Sequence, residues 1–73
     1  MHSDDTPIIA RACAHYPELH VTVARTPIGT YRVTFRDNEA DAVIETRVFQ
    51  KCVRAHEYAY TLINQPFHLE NPA

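Results

Sequence analysis

The sequence contains a single glycine, Gly29, and two cysteines, Cys13 and Cys52, among 73 residues. One glycine excludes a glycine-rich backbone cradle for phosphate, because such loops need several positions free of a Cβ. No GxSxG, HExxH or phosphate-binding loop occurs, so nothing marks an activated nucleophile or a catalytic metal. Apolar runs fall well short of the ~20 residues that a bilayer-spanning helix requires. The opening stretch MHSDDTPIIA has acids where a secretory leader carries basic residues. A cytoplasmic setting with reduced thiols is the expectation. Net charge is only −2, so no overall field draws the chain to nucleic acid or anionic lipid. A non-catalytic protein without a cofactor and without a membrane role is what these absences leave.

Hydrophobic residues make up 45% and charged residues 22%, the balance of a chain that folds rather than stays disordered. Its length predicts one small domain over residues 1–73, with an ordered core over about 6–64 and a tail over 65–73. Near this size a single core needs further support from a docked tail, a partner chain, a metal or a disulfide.

The segment DDTPIIARACAHYP reads as a short N-terminal helix: Thr6 suits the N-cap, Pro7 the first helical position, and Pro17 a stop. Ile8, Ile9, Ala12, Cys13 and Tyr16 would then share a side, although IIARACA also fits an extended edge. LHVTVAR alternates Leu19, Val21 and Val23 with His20, Thr22 and Ala24, the pattern of a half-buried strand. TPIG turns the chain, with Gly29 where a positive φ is needed. GTYRVTFR sends Tyr31, Val33 and Phe35 to the core and Thr30, Arg32, Thr34 and Arg36 to the other face. After the polar turn DNEAD, AVIETRVF forms the next strand. Facing Ile44, Thr46 and Val48 inward buries one hydroxyl, whereas the one-residue slip buries Glu45 and Arg47, so the first register is expected.

KCVRAHEYAYTLIN then reads as a helix ending near Asn64 and Pro66, its core face formed by Cys52, Ala55, Ala59 and Leu62. The expected fold is therefore α+β: a three-stranded antiparallel meander with a C-terminal helix packed on one face and a short N-terminal helix before it. The open face of that sheet would carry His20, Thr22, Arg32, Thr34, Arg36, Glu45 and Arg47. Residues 19 to 54 hold six basic and four acidic residues, against one and five in the remainder, so charge is segregated along the chain.

Residues 20 to 63 run strand, GTYRVTFR strand, polar turn, ETRVF strand and the helix AHEYAYTLI. In this order they resemble the arm-binding domain at the N-terminus of tyrosine recombinases of phages and transposons. Those domains follow a loose G-x-Y/W-x-V-x-x-R … F-x-T-x-x-x-A-x-x-Y/F-A pattern, which Phe49, Ala55, Tyr58 and Ala59 match here, with Lys51 in place of the threonine cap. The resemblance covers more than half the chain and implies a mobile-element origin. It also implies an open sheet face lying in the DNA major groove, with Arg32, Arg36 and Arg47 as candidate contacts and Thr34 beside them. Arginine suits that role because its planar fork grips guanine edges and phosphates. The acids Asp37, Glu39 and Asp41 in the adjoining turn would repel phosphate. A helix, three strands and a helix is also the order of double-stranded-RNA-binding domains, but only Lys51 and Arg54 stand where those carry a lysine cluster.

The everyday use of a Thr, Arg and Glu face is solvation, with cross-strand pairs adding a little stability. Cys13 and His15, with Cys52 and His56 four apart on a helix, allow a Cys2His2 zinc site in principle. Neither pair has the usual knuckle spacing, and both cysteines fall on apolar faces where a free thiol acts as a small hydrophobe. No metal site is therefore assigned. DNEAD lacks the glycine and distal glutamate of a calcium loop and reads as a hairpin tip.

On the last helix Val53, His56, Tyr60 and Ile63 form a second apolar stripe. It needs cover from the first helix, from the tail through Phe67 and Leu69, or from a protein partner, including a second copy of the chain. Two functional expectations follow. One is a small binding module contacting nucleic acid through the arginine-bearing sheet face. The other is a protein-interaction or inhibitor module, homodimeric in one version, using the helix stripe and the acidic turn.

Overall fold

The computed structural model describes residues 5–64. Four strands, β1 (Thr6–Ala12), β2 (Leu19–Arg25), β3 (Tyr31–Asp37) and β4 (Ala42–Phe49), precede one helix, α1 (Cys52–Asn64). The strands form an antiparallel sheet in the order β1-β2-β3-β4, and α1 packs on one face. The class is α+β, with a sheet one strand larger than the sequence pattern indicated. The tail over 65–73, and with it Phe67 and Leu69, lies outside the described residues.

The additional strand is the segment expected to be a helix. Residues 6–12 pair with β2 from Thr6 opposite Arg25 to Ala12 opposite His20, with a register shift between Pro7 and Ile9. Ile9 and Cys13 then face the core, while Ala10 and Ala12 face outward opposite Thr22 and His20. A helix would have satisfied its own backbone, but β2 would then have kept an open edge along its most buried stretch. Pro7 is tolerated because it sits on the outermost strand beside the bulge, where a missing N–H breaks little of the ladder.

Two turns set the registers of the inner strands. Thr26 to Thr30 closes β2 to β3: Gly29 N–H donates to the Thr26 carbonyl (3.0 Å), Thr26 N–H to the Thr30 carbonyl (2.8 Å), and Gly29 takes φ 88°. The hydroxyls of Thr26 and Thr30 bond each other at 2.6 Å, so the buried Thr26 leaves no polar atom unsatisfied. Between β3 and β4, Asp37 Oδ1 accepts from the N–H groups of Glu39 (2.9 Å) and Ala40 (3.1 Å). This is an Asx turn of the kind aspartate favours.

The core lies between α1 and the inner strands. Leu19, Val21, Val23, Val33 and Phe35 meet Ala55, Ala59, Leu62 and Ile63, and Cys13 closes one end. Ala55 and Ala59 are 0% exposed, since a methyl side chain lets the helix axis approach the valines of β2 and β3 closely. The end of α1 is fastened to the connection between β1 and β2. Ala14 N–H donates to the Ile63 carbonyl at 2.8 Å and the Cys13 thiol reaches the Leu62 carbonyl at 3.5 Å, meeting two acceptors that a helix terminus otherwise leaves open.

Two positions on α1 depart from the expected stripes. Cys52 is exposed at the first helical position, before the helix has come over the sheet, and Ile63 is buried in the core. Because the helix ends against the Cys13–Ala14 backbone, its last turn is enclosed on both flanks.

The register of β4 is the opposite of the expected one. Glu45 stands opposite Phe35, Arg47 opposite Val33 and Phe49 opposite Tyr31, which places Glu45, Arg47 and Phe49 on the helix side. Thr46 and Val48 lie on the open face with Val43, which stands opposite Arg36 beyond a register shift. The cost of burying two charges does not arise, because β4 is an edge strand that α1 meets through Tyr58 without enclosing it. Glu45 is half-buried and Arg47 exposed.

Truncation at the centre of this packing should be severe. Leu62→Ala is expected to lower stability by roughly 2 to 5 kcal/mol in urea melts, as large-to-small core changes do. Val53→Ala, on the exposed side of the same helix, should shift it by no more than ~0.5 kcal/mol.

Candidate functional site

The open face is a nearly regular grid. Reading across the strands, Ala12, His20, Arg36 and Val43 form one row, Ala10, Thr22, Thr34 and Thr46 the next, and Pro7, Ala24, Arg32 and Val48 a third. With strands spaced at ~4.8 Å and residues at ~3.4 Å, this surface measures roughly 15 by 20 Å. Its middle is a ladder of three threonines, and its β1 side carries Ala10, Ala12 and Pro7. Its β4 side is apolar: Val43, Ile44 and Val48 are 52%, 51% and 56% exposed.

Both arginines of this face are already engaged. Arg32 forms an ion pair with Asp5, and Arg36 pairs with Asp41 while its Nε donates to Asn38 Oδ1 at 3.1 Å. Asp41 adopts φ 55°, which turns the tip of the hairpin back toward Arg36. Arg32, Thr34 and Arg36 thus share the open face as the strand alternation predicts, but Arg47 does not join them.

Arg47 belongs to a cluster on the helix side of β4. Its Nε donates to Glu45 Oε2 at 2.8 Å, and its guanidinium carbon lies 5.2 Å from the centre of the Tyr58 ring. Tyr58 donates its hydroxyl to Glu45 Oε1 at 2.7 Å and leans on Phe49 with ring centres 5.5 Å apart. The carboxyl of Glu45 is held below its ordinary range, first by the hydrogen bond from Arg47 and then by that from Tyr58. Burial, reinforced by Glu45, pushes the Tyr58 phenol up. The sequence signal for this group was the alternation of Glu45, Arg47 and Phe49, read onto the wrong face.

The second helix stripe is shorter than expected. Val53 and Tyr60 are exposed, His56 is half-buried, and Ile63 has joined the core. His56 donates from Nδ1 to the Cys52 carbonyl at 2.9 Å, and its ring centre is 6.4 Å from that of Tyr60. Stacked on its own helix, this stripe is a row of separate side chains. The four residues with zinc-ligand chemistry are not assembled: Cys52 and His56 occupy the first turns of α1, whereas Cys13 touches Leu62 in its last turn, ~15 Å away at 1.5 Å per residue. Burial raises the Cys13 thiol, with the charge of Glu18 adding to the shift. No pocket opens among the described residues, and none of their helices is long and apolar enough to cross a membrane.

No family model, curated protein or solved structure matches the chain.

Two measurements check this geometry. Because the folded-state pKa of Glu45 is depressed, its contribution to stability is present above the ordinary carboxylate range and lost as pH falls through the depressed value. Arg47→Gln should raise the Glu45 midpoint in an NMR titration by more than Tyr58→Phe does. In a thiol-reagent assay on the folded protein, Cys52 should react at once and Cys13 only on unfolding, as exposure and thiolate fraction dictate.

Proposed function

We propose that the protein is a non-catalytic binding module that docks a protein partner on the open face of its sheet. The observation that carries this reading is the make-up of the face. Three threonines and three alanines surround two arginines already paired with carboxylates of the same chain, and the β4 side exposes Val43, Ile44 and Val48. Such a surface suits a partner that is flat and largely apolar at its centre, with hydroxyls available for a few hydrogen bonds. Contiguous exposed aliphatic groups on a small domain tend to mark interaction sites.

Nucleic-acid contact through the same face, the other reading of this sheet, finds less support. Phosphates would have to displace Asp5 and Asp41 from Arg32 and Arg36, and Arg47 stands on the opposite side. The unpaired cations that normally supply non-specific affinity are missing from that grid.

The test uses Thr34→Arg, which plants a long charged side chain in the middle of the face, and Arg32→Ala/Arg36→Ala, which removes both native ones. In affinity capture after nuclease treatment, a protein retained by the wild type should be lost with Thr34→Arg and kept with the double variant. Salt-sensitive binding to a generic DNA duplex that vanishes in the double variant would reverse the assignment in favour of nucleic acid.

A further inference from the structure

β4 is the last strand of the sheet, and along such an edge alternate residues turn their N–H and C=O groups outward. The two edges of this sheet are not equivalent. β1 carries Pro7 and a bulge between Pro7 and Ile9, devices that discourage addition of another strand. β4 has neither proline nor lysine; its own register shift leaves Ile44 without a partner on β3, but from Glu45 to Phe49 it runs in unbroken register with that strand.

Along this edge the sequence is complementary to itself. Around Thr46 it reads Ile44, Glu45, Thr46, Arg47, Val48. A second copy related by a two-fold axis at Thr46, antiparallel and in the same sheet, brings the two Thr46 residues opposite each other. Each Glu45 then faces an Arg47 of the other copy, and each Ile44 faces a Val48. The pairs fall on consistent faces: Ile44, Thr46 and Val48 on the open side, Glu45 and Arg47 on the helix side. Sheet pairing preserves faces, so the neighbouring two-fold registers are centred on Glu45 or on Arg47. These set like charges directly against each other, which is repulsive. Of these three registers, the axis at Thr46 alone sets Glu45 against Arg47 instead of like against like.

The surroundings of the edge are compatible with this pairing. α1 lies over the inner strands and reaches the helix side of β4 through Tyr58, leaving Arg47 exposed. Arg47 contacts its own Glu45 through Nε, which leaves the two terminal nitrogens of its fork for a second carboxylate. A single open face offers roughly 300 Å² of sheet surface, small beside the ~800 Å² per partner of a standard interface. Joining two sheets at β4 would double it.

We infer that the outer edge of β4 is a homodimer seam, with two copies of the chain paired antiparallel about Thr46 into one eight-stranded sheet. This goes beyond the docking function proposed above and does not depend on what the open face binds.

Sedimentation of the full chain over a wide dilution series should show a reversible dimer. Thr46→Lys puts two ammonium groups across the axis without touching Glu45, Arg47 or Tyr58, and should weaken association ~10-fold or more while circular dichroism stays native. Glu45→Arg and Arg47→Glu should each be monomeric alone. Mixed, they should form a one-to-one heterodimer, because the all-basic edge of one then meets the all-acidic edge of the other. Thr34→Arg, on β3, should leave the dimer intact even where it abolishes docking on the open face, so the two claims fail separately. A wild type that remains monomeric throughout, or a dimer that survives Thr46→Lys, overturns the inference.

Discussion

A helix is ~10 Å across and a four-stranded sheet ~15 Å wide, so α1 cannot cover its own sheet. Its alanine face lies down over the valines of β2 and β3, where Ala55, Ala59, Val21 and Val23 are all 0% exposed. The outer strands are left at the margin. From this mismatch follows the composition of both rims. On the helix side of β1 only Ile9 packs toward the core before Cys13 closes it. On the helix side of β4 two charged side chains and a phenylalanine are enough, because water reaches them and Tyr58 bridges the gap to the helix.

The same mismatch explains what could be read from the sequence and what could not. LHVTVAR and AVIETRVF were delimited correctly as strands, since alternation and turn residues act locally. The helix through Ala55, Ala59 and Leu62 was legible for the same reason, as was the positive φ of Gly29. The face of β4 was not. Keeping Glu45 and Arg47 off the helix side would be required only if that side were core on every strand, which holds for β2 and β3 but not for an edge strand. The N-terminal segment failed on a different count. Ile8 and Ile9 are adjacent, so they fit a helical stripe as well as a bulged strand, and the deciding factor was the unpaired edge of β2, which no local pattern reveals.

For the candidate site, the parity of Arg32, Thr34 and Arg36 on one face was readable. Their neutralisation was not, because Asp5 and Asp41 reach them through the path of the N-terminal strand and the backbone twist of the hairpin. A count of basic residues between 19 and 54 therefore overstated the charge the face presents. Its apolar component is hidden from the sequence pattern, in which Val48, and Ile44 with it, fit an inward-facing alternation equally well.

The tie between Cys13–Ala14 and Leu62–Ile63 joins the first described hairpin to the last turn of the last described element. During synthesis the four strands leave the ribosome before the helix that covers them, and their neighbouring contacts can form as they emerge. Until residues 62 and 63 arrive, Leu19, Val21, Val23, Val33 and Phe35 have nothing on top of them. The nascent protein thus passes through a stage in which an apolar sheet face is bare while the strand edges are already in place. Protection of that face from aggregation is completed only by the last helical turn, so the fold closes with its final described element.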